Sequence, residues 1–355
     1  MSVTAAAFEQ PLRYAVVELT NRCNLRCPYC ASASGRVRDH ELESSEWLPV
    51  LDDLRALGCE EVTLLGGEVF LAPQWLDVAQ GVRERGMALA IITNGLLVDD
   101  ARLADLAALE PAILGLSLDG ASPAGYQAVR GVDGFARLWK LIQRIRDEGR
   151  IPFNVITTFS RLNLGEVEPL IELLEGEQIH WQVQFASTGS SRFDRRQFVT
   201  PEDYGRVCYR IGEIMLAARQ DNWIATMDDY GYFPIDPRHR LLHMEWRGCQ
   251  AGRSVIGIRA NGDLLGCLSL GDAFVEANLR QRPLRELWRD PDTFGPLRAK
   301  TAARLQGGCR DCPMAETCLG GCAAMAMSST GSLHDNRHCL RRLETDGLLA
   351  ELGVD

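Results

Sequence analysis

Between Arg13 and Ser187 the chain alternates short β-rich runs with amphipathic stretches of helical period, and this alternation restricts the fold more than any other feature. Strands are expected at Tyr14 to Thr20, Val62 to Gly66, Ala88 to Thr93, Ile113 to Leu118, Phe153 to Thr158 and Trp181 to Ala186. Helical patterns lie between them, such as Ala101 to Leu109 and Phe135 to Glu148. Repeated βα units build a parallel sheet, so the expected class is α/β, with six units making a partial (β/α)6 barrel. In such sheets the chemistry gathers at the carboxyl ends of the strands, so the residues just after each strand deserve inspection first.

The pattern changes after residue 200. A helix is expected from Thr200 to Arg219, capped by Thr200 with Pro201 at its first position. Asp221 to Trp246 is turn-rich and carries Trp223, Tyr230, Tyr232, Phe233 and Trp246, which reads as a bridge into a second domain starting near Gly248. Within that domain Val255 to Arg259 and Leu264 to Leu268 flank Asn261-Gly262, a hairpin signal with both turn residues expected at positive φ. The resulting division is an N-terminal segment 1–12, a barrel 13–200, a bridging helix and aromatic linker 201–247, a cysteine-rich domain 248–345 and a tail 346–355.

Composition narrows the partners. With 46% apolar residues in 355, the chain can bury a large core. No stretch approaches the roughly 18 uninterrupted apolar residues of a membrane span, and Met1 to Gln10 lack the order of a signal peptide, so a cytoplasmic protein with no membrane partner is expected. A net charge of -10, with only short basic runs such as Arg192 to Arg196, argues against nucleic acid. A peptide or a small molecule is the expected substrate. The twelve cysteines would be unusual staples in a chain with its own core, which leaves metal or cluster ligation as their expected use.

Cys23, Cys27 and Cys30 follow directly on the first strand, so three thiolates share one loop at the barrel mouth. A four-iron cube takes four ligands, and three thiolates leave one iron open to a cofactor that brings its own amine and carboxylate. The run Asn21-Arg22-Cys23-Asn24-Leu25-Arg26-Cys27-Pro28-Tyr29-Cys30 resembles the signature of the radical S-adenosylmethionine (SAM) superfamily, including the aromatic residue before the last cysteine.

The resemblance continues strand by strand. Gly66-Gly67-Glu68 resembles the family's GGE motif, whose glycines let backbone approach SAM and whose acid takes its ammonium group; Val69 stands where proline is usual. Thr93-Asn94-Gly95 and Ser117-Leu118-Asp119-Gly120 resemble the family's TNG and SLDG segments, which makes Asn94 and Ser117 candidate SAM contacts. Arg130 resembles the arginine that pairs with the methionine carboxylate, a task suited to a planar, always-charged fork. Gln184 points to the same rim if period-2 alternation holds on the last strand. The implied chemistry is reductive cleavage of SAM to a 5′-deoxyadenosyl radical that abstracts hydrogen from substrate. It needs clusters at the low end of their range, which reaches about -700 mV, and hence a water-excluding site and a low-potential electron donor such as flavodoxin or ferredoxin.

Seven cysteines close the chain: Cys249, Cys267, Cys309, Cys312, Cys318, Cys322 and Cys339. Their order and spacing resemble the SPASM domain, an extension of many radical SAM enzymes that holds two auxiliary [4Fe-4S] clusters, for three in all. The resemblance implies Cys249, Cys267 and Cys322 on the first auxiliary cluster, and Cys309, Cys312, Cys318 and Cys339 on the second. The hairpin turn folds Cys267 back toward Cys249. Gln250 to Gly266 offers no further cysteine, so an open or non-cysteine position is expected on the first auxiliary cluster.

Cys59 reads as a small buried residue. Cys208, on the helix after Pro201, is a core residue or a hydrogen donor to a product radical, and Asp229, beside Asp228, is a candidate proton acceptor. His239 and His243 share a helix face. Enzymes with this pair of domains often mature ribosomal peptides by crosslinking, thioether formation, oxidation or epimerisation, which makes a peptide the first expectation and a small molecule, such as an aminocyclitol or cofactor precursor, the second. The sulfatase-maturing branch is disfavoured, because Leu268 and Ser269 replace its aspartate after the second SPASM cysteine. The cluster loop begins at Cys23, which leaves no room before it for a leader-binding domain, so the expectation is that either a separate protein captures a leader or the substrate is short or small.

Overall fold

The alternation becomes a ten-stranded sheet in the computed structural model, which describes residues 8–189, 191–218, 223–242 and 246–352. The strands are β1 (Tyr14–Glu18), β2 (Glu61–Leu65), β3 (Ala88–Thr93), β4 (Ile113–Ser117), β5 (Phe153–Phe159), β6 (Trp181–Phe185), β7 (Ile224–Thr226), β8 (Val255–Ile258), β9 (Asp263–Leu265) and β10 (Val275–Asn278). Their order is β10-β9-β8-β1-β2-β3-β4-β5-β6-β7. Every pairing from β8 through β1 to β7 is parallel, and β9 and β10 continue that edge in antiparallel fashion.

Helices return the chain between strands: α1 (Ser44–Ala56), α2 (Trp75–Glu84), α3 (Asp100–Leu109), the pair α4 (Pro123–Arg130) and α5 (Phe135–Glu148), α6 (Val167–Gly176) and α7 (Pro201–Ala217). Their starts follow side-chain chemistry. Asp99, Ser122 and Thr200 accept backbone N–H groups at the first turns of α3, α4 and α7, with Pro123 and Pro201 just inside. Strand alternation then sorts the two faces. Val62, Leu64, Leu89, Ile91, Leu114 and Leu116 are fully buried in the main core, each worth about 2 kcal/mol of transfer free energy. Their neighbours Thr63, Leu65, Ile92, Gly115 and Ser117 face an internal cavity.

Three features differ from the sequence expectation. Ile224–Thr226, inside the stretch read as a linker, is a strand paired with β6; three residues are too short to show a period. The cysteine-rich region's hairpin is part of the main sheet, with β8 parallel to β1 in the register Tyr14↔Val255 to Val17↔Ile258. Without it β1 would be an open edge. The turn itself has only Gly262 in the left-handed region, at φ 85°. Gly262 N–H donates to the Arg259 carbonyl at 2.9 Å, and the Asn261 side chain is occupied with Asp263, so the loop is one residue longer than a two-residue turn.

Candidate active site

A cavity of about 530 Å³ runs inside the sheet and opens where the parallel strands end. Its walls are the inward residues of β1 to β6, with Glu61, Asn154 and Gln182 among the polar ones. At the mouth stand Cys23, Cys27 and Cys30 from the loop after β1, Arg130 from α4, Arg192 from the segment after β6, and Cys267 and Ser269 from the loop after β9.

Backbone contacts fix the first cysteine loop. Glu41 receives Thr20 Oγ1 and Asn21 N–H, each at 2.8 Å, and Arg192 donates to the Ala33 and Ser34 carbonyls. Gly67 N–H and Glu68 N–H donate to the Thr20 and Arg22 carbonyls at 2.7 and 2.8 Å. A Cβ on Gly66 would lie 2.5 Å from Thr20 O, and one on Gly67 2.0 Å from Arg22 O. The two glycines thus permit the end of β2 to dock on the cysteine loop.

The donors around the thiols suit a cluster. Leu25 N–H and Ser34 N–H point at Cys23 and Cys30 Sγ at 3.3 and 3.4 Å, and Arg130 Nη1 lies 3.7 Å from Cys27 Sγ. Hydrogen bonds to sulfur are among the features that tune cluster potentials. Burial pushes the Cys23 thiol up to about 11 and raises Cys27 as well, so cations must supply the drive for ionisation. Among the described residues no three His, Cys, Asp or Glu side chains converge on a single ion, whereas the ligands of a four-iron cube take separate corners. None of the twelve cysteines is paired in a disulfide.

Behind the loop the polar residues are mutually paired. Glu68, almost wholly buried, accepts Thr93 Oγ1 at 2.6 Å and Asn94 N–H at 2.9 Å. Its carboxylate is thus tied to the TNG segment at the cavity wall, and burial raises its pKa. Asn94 reaches back to Asn24 at 2.8 Å, tying β3 to the cysteine loop. Arg130 has Nε 2.5 Å from Asp119 Oδ2, and Tyr29 donates to the same Asp119 oxygen. Burial opposes the Arg130 charge, and Asp119 together with the neighbouring Tyr29, Cys27 and Tyr126 more than restores it. Arg130 Nε is thus engaged by the Asp119 carboxylate, although the pair is not aligned as a hydrogen bond. Ser117 and Gln184 both line the cavity, Gln184 donating to Thr158 Oγ1 at 2.9 Å. Sequence reading gave no role of their own to Asp119, Tyr29 or Arg192; Asp119 lies inside the SLDG segment and Tyr29 is the aromatic residue of the cysteine signature, whereas Arg192 lies in no motif.

The remaining cysteines fall into two groups by mutual influence. The charges of Cys249 and Cys267 raise the Cys322 thiol after burial, and Cys249 does the same to Cys267. Cys309 and Cys312 act on Cys318, which burial pushes up to about 12, and those three act on Cys339. Tyr232 stands between the groups: its hydroxyl accepts Cys322 N–H at 3.1 Å, while its carbonyl lies 3.7 Å from Cys339 Sγ.

Two candidates lie elsewhere. Cys208 is fully buried on the core face of α7, near Tyr204, and is not among the cavity residues, so its position does not suit hydrogen donation into the cavity. Asp229 is buried behind β6, accepting Phe185 N–H at 2.6 Å, and desolvation raises it to about 7. Cys59 is fully buried at the opposite end of β2. His239 is buried against Tyr209, and His243 lies outside the described residues.

A parallel partial barrel with three cysteines on the loop after β1, followed by seven cysteines in two groups, defines an iron-sulfur enzyme of the radical SAM class. The chain belongs to that superfamily: the radical SAM superfamily model matches residues 17–174, and the SPASM model, an iron-sulfur cluster-binding domain, matches 249–313. The AdoMet-dependent heme synthase of Methanosarcina barkeri is 28% identical, covering 92% of this chain and 95% of that one. The PqqA peptide cyclase of Ruegeria pomeroyi is 27% identical, over 89% and 83%. The fold is that of Streptococcus suis SuiB, solved with its precursor peptide SuiA, at TM-score 0.74 and 19% identity over 93% of this chain and 75% of SuiB.

Proposed function

We propose that this enzyme uses SAM and iron-sulfur clusters to remove hydrogen from a ribosomally made peptide, leaving a crosslinked, thioether-bridged or epimerised product. The observation that carries this is one cavity bordered both by Cys23, Cys27 and Cys30 and by Cys267, as a radical source and an auxiliary cluster flanking one substrate volume would require. When bound, the SAM-cluster pair supplies a carbon-centred radical for hydrogen abstraction. The three mouth cysteines hold that cluster, and Gly66, Gly67, Glu68 and Asn94 shape its loop. Arg130, which borders the cavity, pairs its guanidinium with the SAM carboxylate, while Ser117 and Gln184 contact the polar parts of the cofactor. Glu61, Asn154 and Gln182 line the deeper volume for substrate.

Two auxiliary clusters, three in total, would carry away the electron left after hydrogen removal. That reading adds a flavodoxin or ferredoxin as donor, a separate leader-binding protein and a cytoplasmic setting, which the unpaired cysteines favour. Among the described residues no helix is long and apolar enough to cross a membrane. A peptide substrate accords with the name of the cyclase relative. A small-molecule substrate is the second reading, favoured by the heme synthase relative, which matches along nearly its whole length.

The test is anaerobic protein with SAM and dithionite. 5′-Deoxyadenosine should form, and co-expression with a short peptide encoded beside this gene should give a peptide lacking two hydrogens, or one of unchanged mass with an inverted centre. An unmodified peptide, together with turnover of a tetrapyrrole precursor, would move the assignment to the second reading.

A further inference from the structure

The first auxiliary group has three thiols, and a cube presents four corners. The stretch between Cys249 and Cys267 contains no cysteine to complete the set. Asp229 lies beside this group. It is 9% exposed, its Oδ2 is fixed by Phe185 N–H at 2.6 Å, and its Oδ1 is buried with no hydrogen-bond partner. An unsatisfied carboxylate oxygen in that setting costs several kcal/mol unless a cation or donor meets it (roughly 1–3 kcal/mol for a neutral group, more for a charged one).

The chain path brings the turn that carries Asp229 next to Cys322. Tyr232 OH donates to the Asp228 carbonyl at 2.7 Å and accepts Cys322 N–H at 3.1 Å, so two hydrogen bonds strap the turn bearing Asp229 to this cysteine. The charge of Asp229 acts on Cys322 more strongly than that of Cys267, its partner in the same group. Asp228 acts on Cys267 instead, and its backbone carbonyl is already engaged by Tyr232.

We infer that Asp229 Oδ1 is the fourth, non-cysteine ligand of the first auxiliary cluster. This rests on the reading that Cys249, Cys267 and Cys322 hold a cluster there. The ionised carboxylate bonds iron directly, with its proton released to solvent on assembly and no change in oxidation state. A carboxylate donates less electron density than a thiolate, so the cluster sits at a higher potential than an all-cysteine one, as replacement of thiolates by weaker donors does elsewhere. An oxygen ligand is also more readily exchanged for a substrate group.

Mössbauer spectroscopy of 57Fe-loaded full-length protein with excess SAM tests this in Asp229→Asn and Asp229→Cys. Wild type should show two iron sites with nitrogen or oxygen ligation, one at SAM and one at Asp229. Asp229→Cys should show one, with full iron content and a lower auxiliary potential in redox titration; Asp229→Asn should lose or alter the same site. Identical spectra and potentials in wild type and Asp229→Cys would overturn the inference while leaving the cluster in place. If Cys322→Ala loses no iron relative to wild type, the cluster reading itself falls, and the inference with it.

Discussion

At the level of single residues, close approach decides the mouth. Gly67 has no space for a methyl group, because a Cβ would sit 2.0 Å from the Arg22 carbonyl. Gly67→Ala should therefore lower the urea midpoint by the equivalent of about 1–3 kcal/mol and reduce iron bound at Cys23, Cys27 and Cys30, read by iron assay against a Cys322→Ala background. The Asp119–Arg130 pair behaves differently. Asp119→Asn leaves a buried guanidinium uncompensated and should cost about 3–5 kcal/mol, whereas joint replacement with Arg130→Met should cost less than the two single changes together. Denaturant titrations of the four proteins complete that cycle, and additivity would dissociate the pair. The cysteine positions were legible because ligand spacing is local in sequence. Asp119 was not, since its partners Tyr29, Arg130 and Thr158 arrive from three separate segments.

Elements were legible wherever a period could repeat. Ala88–Thr93 and Phe135–Glu148 have the expected bounds, and the Thr200 cap accepts Asp203 N–H at 3.1 Å. Thr200→Ala should cost about 1 kcal/mol in thermal or denaturant unfolding without changing iron content, since α7 supplies no ligand. β7 and the β8–β1 pairing were not legible, the first for brevity and the second because nothing local tells a hairpin which strand it will join. Glu61, the first residue of β2, faces the cavity half-buried, and desolvation raises its pKa above 4.5. With the folded value above the unfolded one, wild type loses stability as pH rises through the unfolded pKa. Glu61→Gln should thus be the more stable protein at pH 7 and lose that advantage below about pH 4. Urea midpoints across that range provide the check.

For the whole molecule, a sheet held by apolar burial is expected to stand without metal, whereas the C-terminal region beyond β10 would draw order from the proposed auxiliary clusters. From Thr301 to Cys339 the chain is short helical turns, with the Cys309 and Cys318 thiols pushed up by burial, so ligation there would supply much of its order. Chelation of iron should expose this part to protease while β1 to β6 stay protected from hydrogen exchange, and uniform loss of protection would contradict that division. The pairing of β8 with β1 has a further consequence for biosynthesis. The strand that emerges first from the ribosome must wait for one of the last to be made. During that interval one flank of β1 is bare, and the nascent barrel depends on chaperones or speed to avoid pairing with a neighbour.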